Sequence, residues 1–391
     1  MFGIAEHGEI MVDRARAQRV PHALAAVRQL LAKNSIDGIV LTSPGAVSWA
    51  TGAMNPPIDR TAATDVVWIC VSETRVVLIT TEIEAPRIIA EMELEHFGID
   101  IVAVPWWDID AAVSASYRAL GATPGGDRST IGSDGHPAFG VNVTEDIISA
   151  RMKLCPADVD ELRQLGHDAA EAVQDALQAW VPGESDFQIQ SRIASSVESR
   201  GADCPVLLVG VDDRVTQFRH PIARGAAAHR LVMAVLVARR SGLHVALTRY
   251  ASVGSPDARL AAGLAASKRI HGKVLSAHVP GASYGSILRV LDEAYAAEGH
   301  PGGWREHYQG GPIGYAQREF EISPAQTDSR WWHEPVSLAG AVAWNPSLPG
   351  GGKDEDTYIV GPNGVHEWVT TAPGWPTSSS SFGPRPDPLI L

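Results

Sequence analysis

Four clusters in this 391-residue sequence hold side chains able to move a proton or grip a charged ligand. The first is Phe218-Arg-His-Pro-Ile-Ala-Arg224, in a loop ahead of a strand-like run. Its His220 titrates near neutral pH, which suits a general acid or base, though a surface-loop histidine reads the same way. The second is Ser241-Gly-Leu-His-Val-Ala-Leu-Thr-Arg249, where Gly242 marks a tight turn between two strands. A plain hairpin accounts for that segment too. The third is His307-Tyr-Gln-Gly-Gly-Pro-Ile-Gly-Tyr-Ala-Gln-Arg-Glu319. Its glycines let backbone pass close to a ligand, and His307, Gln309, Arg318 and Glu319 offer a base, an amide and a charged pair. The fourth joins Trp344-Asn-Pro-Ser347 to Lys353-Asp-Glu-Asp356. Asn345 can donate and accept hydrogen bonds there, while Lys353 to Asp356 reads equally as a solvated charge run.

The elements that must hold these clusters fall into two halves. Residues 12–33 carry apolar Val20, Leu24, Val27 and Leu31 at helical spacing. Strand patterns follow at 36–42, 66–71, 75–81 and 99–104, with a helix pattern at 82–95, an α/β order ending near Met152. Two long helices then run over 157–180 and 186–200, with Ser185 placed to cap the second. Strands are expected at 206–211, 231–238 and 244–253, and helices at 257–277 and 284–298. The rest, 304–371, is loop- and strand-like, and the whole order is α+β. The expected division is 1–152, 153–375 and a Ser/Pro-rich disordered tail, 376–391.

Composition narrows the function. A net charge of −13 repels phosphate backbones, so nucleic acid is not expected as a partner. The three cysteines are far apart and odd in number, which argues against a disulfide framework or a cysteine metal cluster. No run of about 18 apolar residues occurs, and the N-terminus has no apolar signal core. A cytoplasmic location with no membrane association is the expectation.

Taken in chain order, the four clusters resemble the superfamily of methionine aminopeptidase, aminopeptidase P, prolidase and creatinase. The resemblance spans essentially the whole chain. It implies a creatinase-type α/β N-terminal domain followed by a pita-bread catalytic domain. In the metal-dependent members, a hairpin strand supplies one aspartate and a second follows eleven residues later, just before Leu/Ile-Thr-Arg. Leu247-Thr248-Arg249 fixes that register here and puts Val235 and Ala246 at the two positions. The family's ligand histidine in His-x-x-Gly-His becomes Gly311, a later substrate-contacting histidine becomes Arg318, and the glutamate of Glu-Pro becomes Asn345. Only Glu355 matches a ligand. Valine, alanine and glycine side chains coordinate nothing and asparagine is a poor ligand, so no metal and no cofactor is expected.

Creatinase is the metal-free precedent within that resemblance. Its catalytic histidine lies in a loop matching His220-Pro221, and its carboxylate-holding arginine matches Arg60, eight residues after Thr51-Gly52. Creatinase keeps guanidinium-binding glutamates where this chain has Thr248 and Asn345, so creatine is not the expected substrate. The resemblance implies a metal-independent hydrolase that cleaves a C–N bond of a small carboxylated molecule. His220, His307 and Glu355 are its expected catalytic groups, and Arg60, Thr248, Gln309, Arg318, Glu319 and Asn345 its expected substrate contacts. A homodimer is expected, with Arg60 reaching the partner's site. Two alternatives stand: a lyase, C–C-cleaving or group-transfer enzyme in the same pocket, or a non-catalytic binding protein on the peptidase scaffold.

Overall fold

The structure is a computed structural model that describes residues 14–52, 58–59, 61–64, 66–123, 129–364 and 366–391. It divides into two compact units. One ends at Arg151 and takes in Cys155–Asp158, and the other comprises Met152–Leu154 and Val159–Leu391.

The first unit is built on a mixed six-stranded sheet. Its strands are β1 (Gly38–Leu41), β2 (Trp68–Ser72), β3 (Val76–Thr81), β4 (Ile99–Val104), β5 (Ile131–Ser133) and β6 (Val141–Asn142), in the order β4-β3-β2-β1-β5-β6. β1 runs antiparallel to β2 and parallel to β5. Helices α1 (Arg14–Asn34), α2 (Pro44–Ala50), α3 (Ala85–Met92), α4 (Ile109–Ala119) and α5 (Thr144–Arg151) accompany it. The apolar runs read from the sequence bury both faces of β1, β2 and β3, while the edge strand β4 is largely exposed, and Val40, Cys70, Val77, Ile79 and Tyr117 share one core cluster. Helix α4 has no counterpart in the sequence reading. Asp108 caps it by accepting from Ala111 N at 2.9 Å.

Helix α6 (Pro156–Gln178) belongs to the second unit from Val159 onward, and α7 (Asp186–Ser199) follows it. Ser185 does cap α7. Its hydroxyl accepts from Gln188 N and Gln188 Oε1 accepts from Ser185 N, a reciprocal capping box. β7 (Asp203–Val211), the short α8 (Asp213–Gln217), β8 (Leu231–Arg240) and β9 (Leu243–Ser252) follow. Arg240 pairs with Leu243, so Ser241 and Gly242 alone make the β8–β9 turn. Both have positive φ, 52° and 76°, as a two-residue hairpin turn that matches strand twist requires. Helices α9 (Ala258–Ala277) and α10 (Tyr284–Ala297) come next.

A second sheet has the order β10-β11-β14-β15, formed by β10 (Gly310–Ile313), β11 (Ala341–Trp344), β14 (Asp356–Val360) and β15 (His366–Trp368). A small ladder of β12 (Ser347–Leu348) and β13 (Gly352–Lys353) links β11 to β14, and the short α11 (Arg330–His333) precedes β11. The two sheets meet where Thr248 N of β9 donates to Glu355 O at 3.0 Å.

The expected disordered tail is corrected by the structure. Residues 377–390 form the hairpin β16 (Thr377–Ser380) and β17 (Gly383–Pro386), then β18 (Leu389–Ile390). β18 adds in parallel to β9 and covers its edge. Arg385 is wholly buried, where it bonds the Asp354 carboxylate and the Tyr358 hydroxyl. One buried charge with partners outweighs a composition that otherwise reads as disorder. No helix among the described residues is long and apolar enough to cross a membrane.

Candidate active site

The site grows from the β8–β9 hairpin. Alternation along the two strands puts Val235, Val237, Ala246 and Thr248 on one face, because Val235 pairs with Thr248 and Val237 with Ala246. Val235 is absorbed into an apolar cluster with Met233, Tyr250 and Leu264. Thr248 provides the polar contact of this face, and its hydroxyl donates to Glu355 Oε2 at 2.7 Å. The neighbouring Arg249 points the other way and pairs with Asp356 at 2.7 Å, so Thr248-Arg249 grips Glu355-Asp356 residue by residue.

Glu355 is buried and fully engaged. Asn345 Nδ2 donates to its Oε1 at 3.1 Å, and Lys353 Nζ lies 3.3 Å from its Oε2. Burial alone would push this carboxyl up. The Lys353 charge, the Thr248 hydrogen bond and the Arg318 charge override burial and hold it below the ordinary glutamate value. Glu355 is therefore ionised at neutral pH, with its oxygens committed to the protein.

Lys353 itself is buried, which corrects the reading of residues 353–356 as a solvated run. Its backbone is delivered there by Gly352, which crosses Gly263 of α9 so closely that a Cβ would sit 2.4 Å from the Gly263 carbonyl carbon. The same tight approach lets Ser267 Oγ donate to Gly352 O at 3.0 Å.

His220 and His307 come together from positions 87 apart in sequence, with ring centroids 4.7 Å apart and planes 29° apart. Arg219 ties their two loops, donating to Glu306 Oε2 at 2.8 Å and to Ser347 Oγ at 3.2 Å. His220 is exposed and His307 is buried. Burial, then the charges of Lys353 and His220, push His307 down to about 2. His220 is lowered more gently, by burial and then by Lys353. Both imidazoles are neutral at pH 7. A group titrating near 2 is too weak to take a proton from water, so His307 is unsuited to act as a general base. Both ring nitrogens of His307 and the Asn345 side-chain oxygen are buried with no protein partner.

The other expected site residues fall differently. Gln309 spends its amide on the protein: Nε2 donates to the Trp304 and His307 carbonyls at 2.8 Å each, and Oε1 accepts from Tyr295 at 2.9 Å. It therefore holds the His307 loop. Glu319 accepts from Ala316 N at 3.1 Å and closes the turn after β10, again a structural use. Arg318 lies 3.5 Å from Glu321, donates to Ala343 O and contributes charge at Glu355. Glu355 does not orient His307, whose ring nitrogens it leaves unmet. Arg60 lies outside the described residues. Lys353 and Arg219 were missed as site residues. The signal for Lys353 was its position two residues before the matched Glu355, after three glycines.

The positions that the family resemblance gives to metal ligands are Val235, Ala246, Gly311, Asn345 and Glu355. Val235 is packed in an apolar cluster, Asn345 is bonded to Glu355, and Glu355 is paired with an ammonium. Among the described residues no group of three or more His, Cys, Asp or Glu side chains could hold a metal ion. This donor set does not fit a pair of divalent cations.

Comparison with known proteins bears on the fold. Residues 24–165 match the family model described as the creatinase/prolidase N-terminal domain. A dipeptidase, PepE, from Mycobacterium ulcerans is similar over 95% of this chain and 97% of its own, at 18% identity and a TM-score of 0.72. An Xaa-Pro dipeptidase from Bacillus anthracis is similar over 95% of this chain and all of its own, at 18% identity and a TM-score of 0.70. The N-terminal domain of the FACT complex subunit SPT16 from Cicer arietinum also shares the fold, at 11% identity and a TM-score of 0.65, over 92% of this chain and 97% of its own. No curated protein matches the sequence. Residues 24–165 are therefore similar to a creatinase/prolidase N-terminal domain, and the chain shares its fold with the dipeptidase and the Xaa-Pro dipeptidase over 95% of its length.

Proposed function

We propose that this chain is a hydrolase that cleaves a C–N bond of a small carboxylated molecule without a metal, with His220 as the proton-transferring group. The observation that carries the proposal is the coincidence of two changes in one cluster of side chains. The metal-ligand positions hold Val235, Ala246, Gly311 and Asn345, while two neutral histidines stack beside a buried Lys353–Glu355 pair. The hydrolase class is supported by the fold shared with a dipeptidase and an Xaa-Pro dipeptidase.

In the proposed step, His220 accepts a proton from water as the water oxygen bonds to the carbon attached to nitrogen. The C–N bond then breaks, and the proton passes from His220 to the departing nitrogen. His307 stays neutral and can hydrogen-bond the water or the substrate through nitrogens that no protein group occupies. Arg60 is assigned the substrate carboxylate, from a second subunit, as a bidentate clamp. Thr248, Asn345 and Glu355 build the polar floor.

The test is a screen of N-acylated and N-carbamoylated amino acids in the presence of a chelator, with release of free amine as the readout. Turnover of at least one carboxylated amide, undiminished by the chelator, is expected. Release of an unsaturated product in place of an amine would assign a lyase. The pH profile gives a second check. Because the His220 value is lowered, the base is unprotonated at neutral pH and is lost only as pH falls through that value. The acid limb of kcat/KM should therefore lie below the ordinary histidine value of about 6.5. A limb above that value would contradict the assignment.

A further inference from the structure

We infer that Lys353 is the pocket's anion-holding group, the cation against which the substrate oxygen at the reacting carbon carries its negative charge. This deepens the hydrolase reading and rests on it for the identity of the oxygen. The observations are of geometry and of unmet hydrogen bonds. The Lys353 side chain is buried, and among the described residues the one ion-pair partner of its Nζ is Glu355 Oε2 at 3.3 Å. An ammonium has three N–H donors, so two are left for a ligand.

The groups around it are also incomplete. Asn345, itself bonded to the same carboxylate, has a buried side-chain oxygen with no partner, and both nitrogens of buried His307 have none. Buried polar groups without partners are costly, so a pocket with several of them is built for a ligand or ordered water.

The unspent donors select the ligand. Lys353, Arg219 and Arg318 are paired with Glu355, Glu306 and Glu321, so the cluster is charge-balanced and it is the two remaining N–H groups of Lys353 that call for an oxygen acceptor. An anionic oxygen group accepts from them and a cation does not. A fixed ammonium in a buried pocket can stabilise a charge that develops on oxygen without reorganising at the moment of reaction.

The experiment compares two tetrahedral probes of similar size, methyl methylphosphonate, a monoanion, and dimethyl methylphosphonate, its neutral ester. Binding to the full chain is followed by calorimetry. The wild-type protein is expected to bind the monoanion more tightly, by about tenfold or more, the size of one charge-assisted hydrogen bond. Lys353→Met should abolish that preference. Because Lys353→Met strands a buried carboxylate and can fail to fold, the paired variant Lys353→Met with Glu355→Gln is the stronger test. It removes one charge of each sign and leaves the net charge unchanged, so general electrostatics predicts that the preference survives, whereas the proposal predicts its loss. Absence of any preference in the wild type, or its survival in the paired variant, would overturn the proposal. Neither probe is a substrate. A protein that shows the Lys353-dependent preference yet cleaves no amide would refute the hydrolase reading and leave the anion site standing.

Discussion

Arg385→Ala is expected to destabilise the second unit by about 3–5 kcal/mol, the usual cost of removing one partner from a buried ion pair. Arg385 is wholly buried and bonds the Asp354 carboxylate and the Tyr358 hydroxyl, while His271 Nδ1 lies 2.9 Å from the same carboxylate. Burial alone would raise the Asp354 carboxyl. Arg385 overrides burial, and with the His271 hydrogen bond holds it well below the ordinary aspartate range. A depressed carboxyl value contributes stability that is present above the unfolded value of about 3.9 and is lost as pH falls through the folded value. Arg385→Ala should remove most of that acid dependence along with the stability itself. Chemical denaturation at neutral pH and at pH values below 4 measures both. Ser378→Ala, on the exposed part of the same tail, should cost little by comparison. Equal effects of the two substitutions would mean that the tail is not pinned through Arg385.

His220→Ala and His307→Ala carry the second large expectation. Loss of a general acid–base group lowers turnover by about 10²–10⁴-fold. His220→Ala should do this with folding unchanged, because the ring is exposed. It should also erase the acid limb of the pH profile, which a merely structural role would not do. His307→Ala should lower turnover while leaving that limb in place, since His307 never titrates in the working range. If both variants kept wild-type turnover, His-centred catalysis would be excluded.

Much of the scaffold was legible because it follows from short-range rules. Ser185 with Gln188 three residues on spells a capping box, and Gly242 after Ser241 spells a hairpin turn. The Leu247-Thr248-Arg249 motif fixed which residues match the family's two aspartate positions, and pairing of Val235 with Thr248 and Val237 with Ala246 places those two, Val235 and Ala246, on one face. The identity of His220 and His307 as candidates was also readable, from residue type alone. Their stacking was not, because it depends on how loops 87 residues apart are tied by Arg219.

The misreadings share one cause: local composition does not reveal distant partners. Lys353-Asp-Glu-Asp356 looks like a solvated run, yet each charge is buried. Lys353 meets Glu355, Asp354 meets Arg385 and Asp356 meets Arg249. The Ser/Pro-rich tail looks disordered for the same reason, since Arg385 anchors it to Asp354 across 31 positions. Gln309 and Glu319 were assigned to substrate because their types suit binding. Their hydrogen bonds to Trp304, His307, Tyr295 and Ala316 give them a loop-holding use that residue type alone does not reveal.

The pocket stands or falls on whether its floor can grip a divalent ion, and the metal content of the folded protein decides that directly. Purified protein equilibrated with manganese, cobalt or zinc and then desalted should retain only traces by mass spectrometry, with a melting temperature indifferent to EDTA. A stoichiometric pair of retained ions, with a melting temperature that falls on chelation, would mean that side chains other than Val235, Ala246, Gly311 and Asn345 line the centre and that the proton chemistry assigned to His220 is wrong.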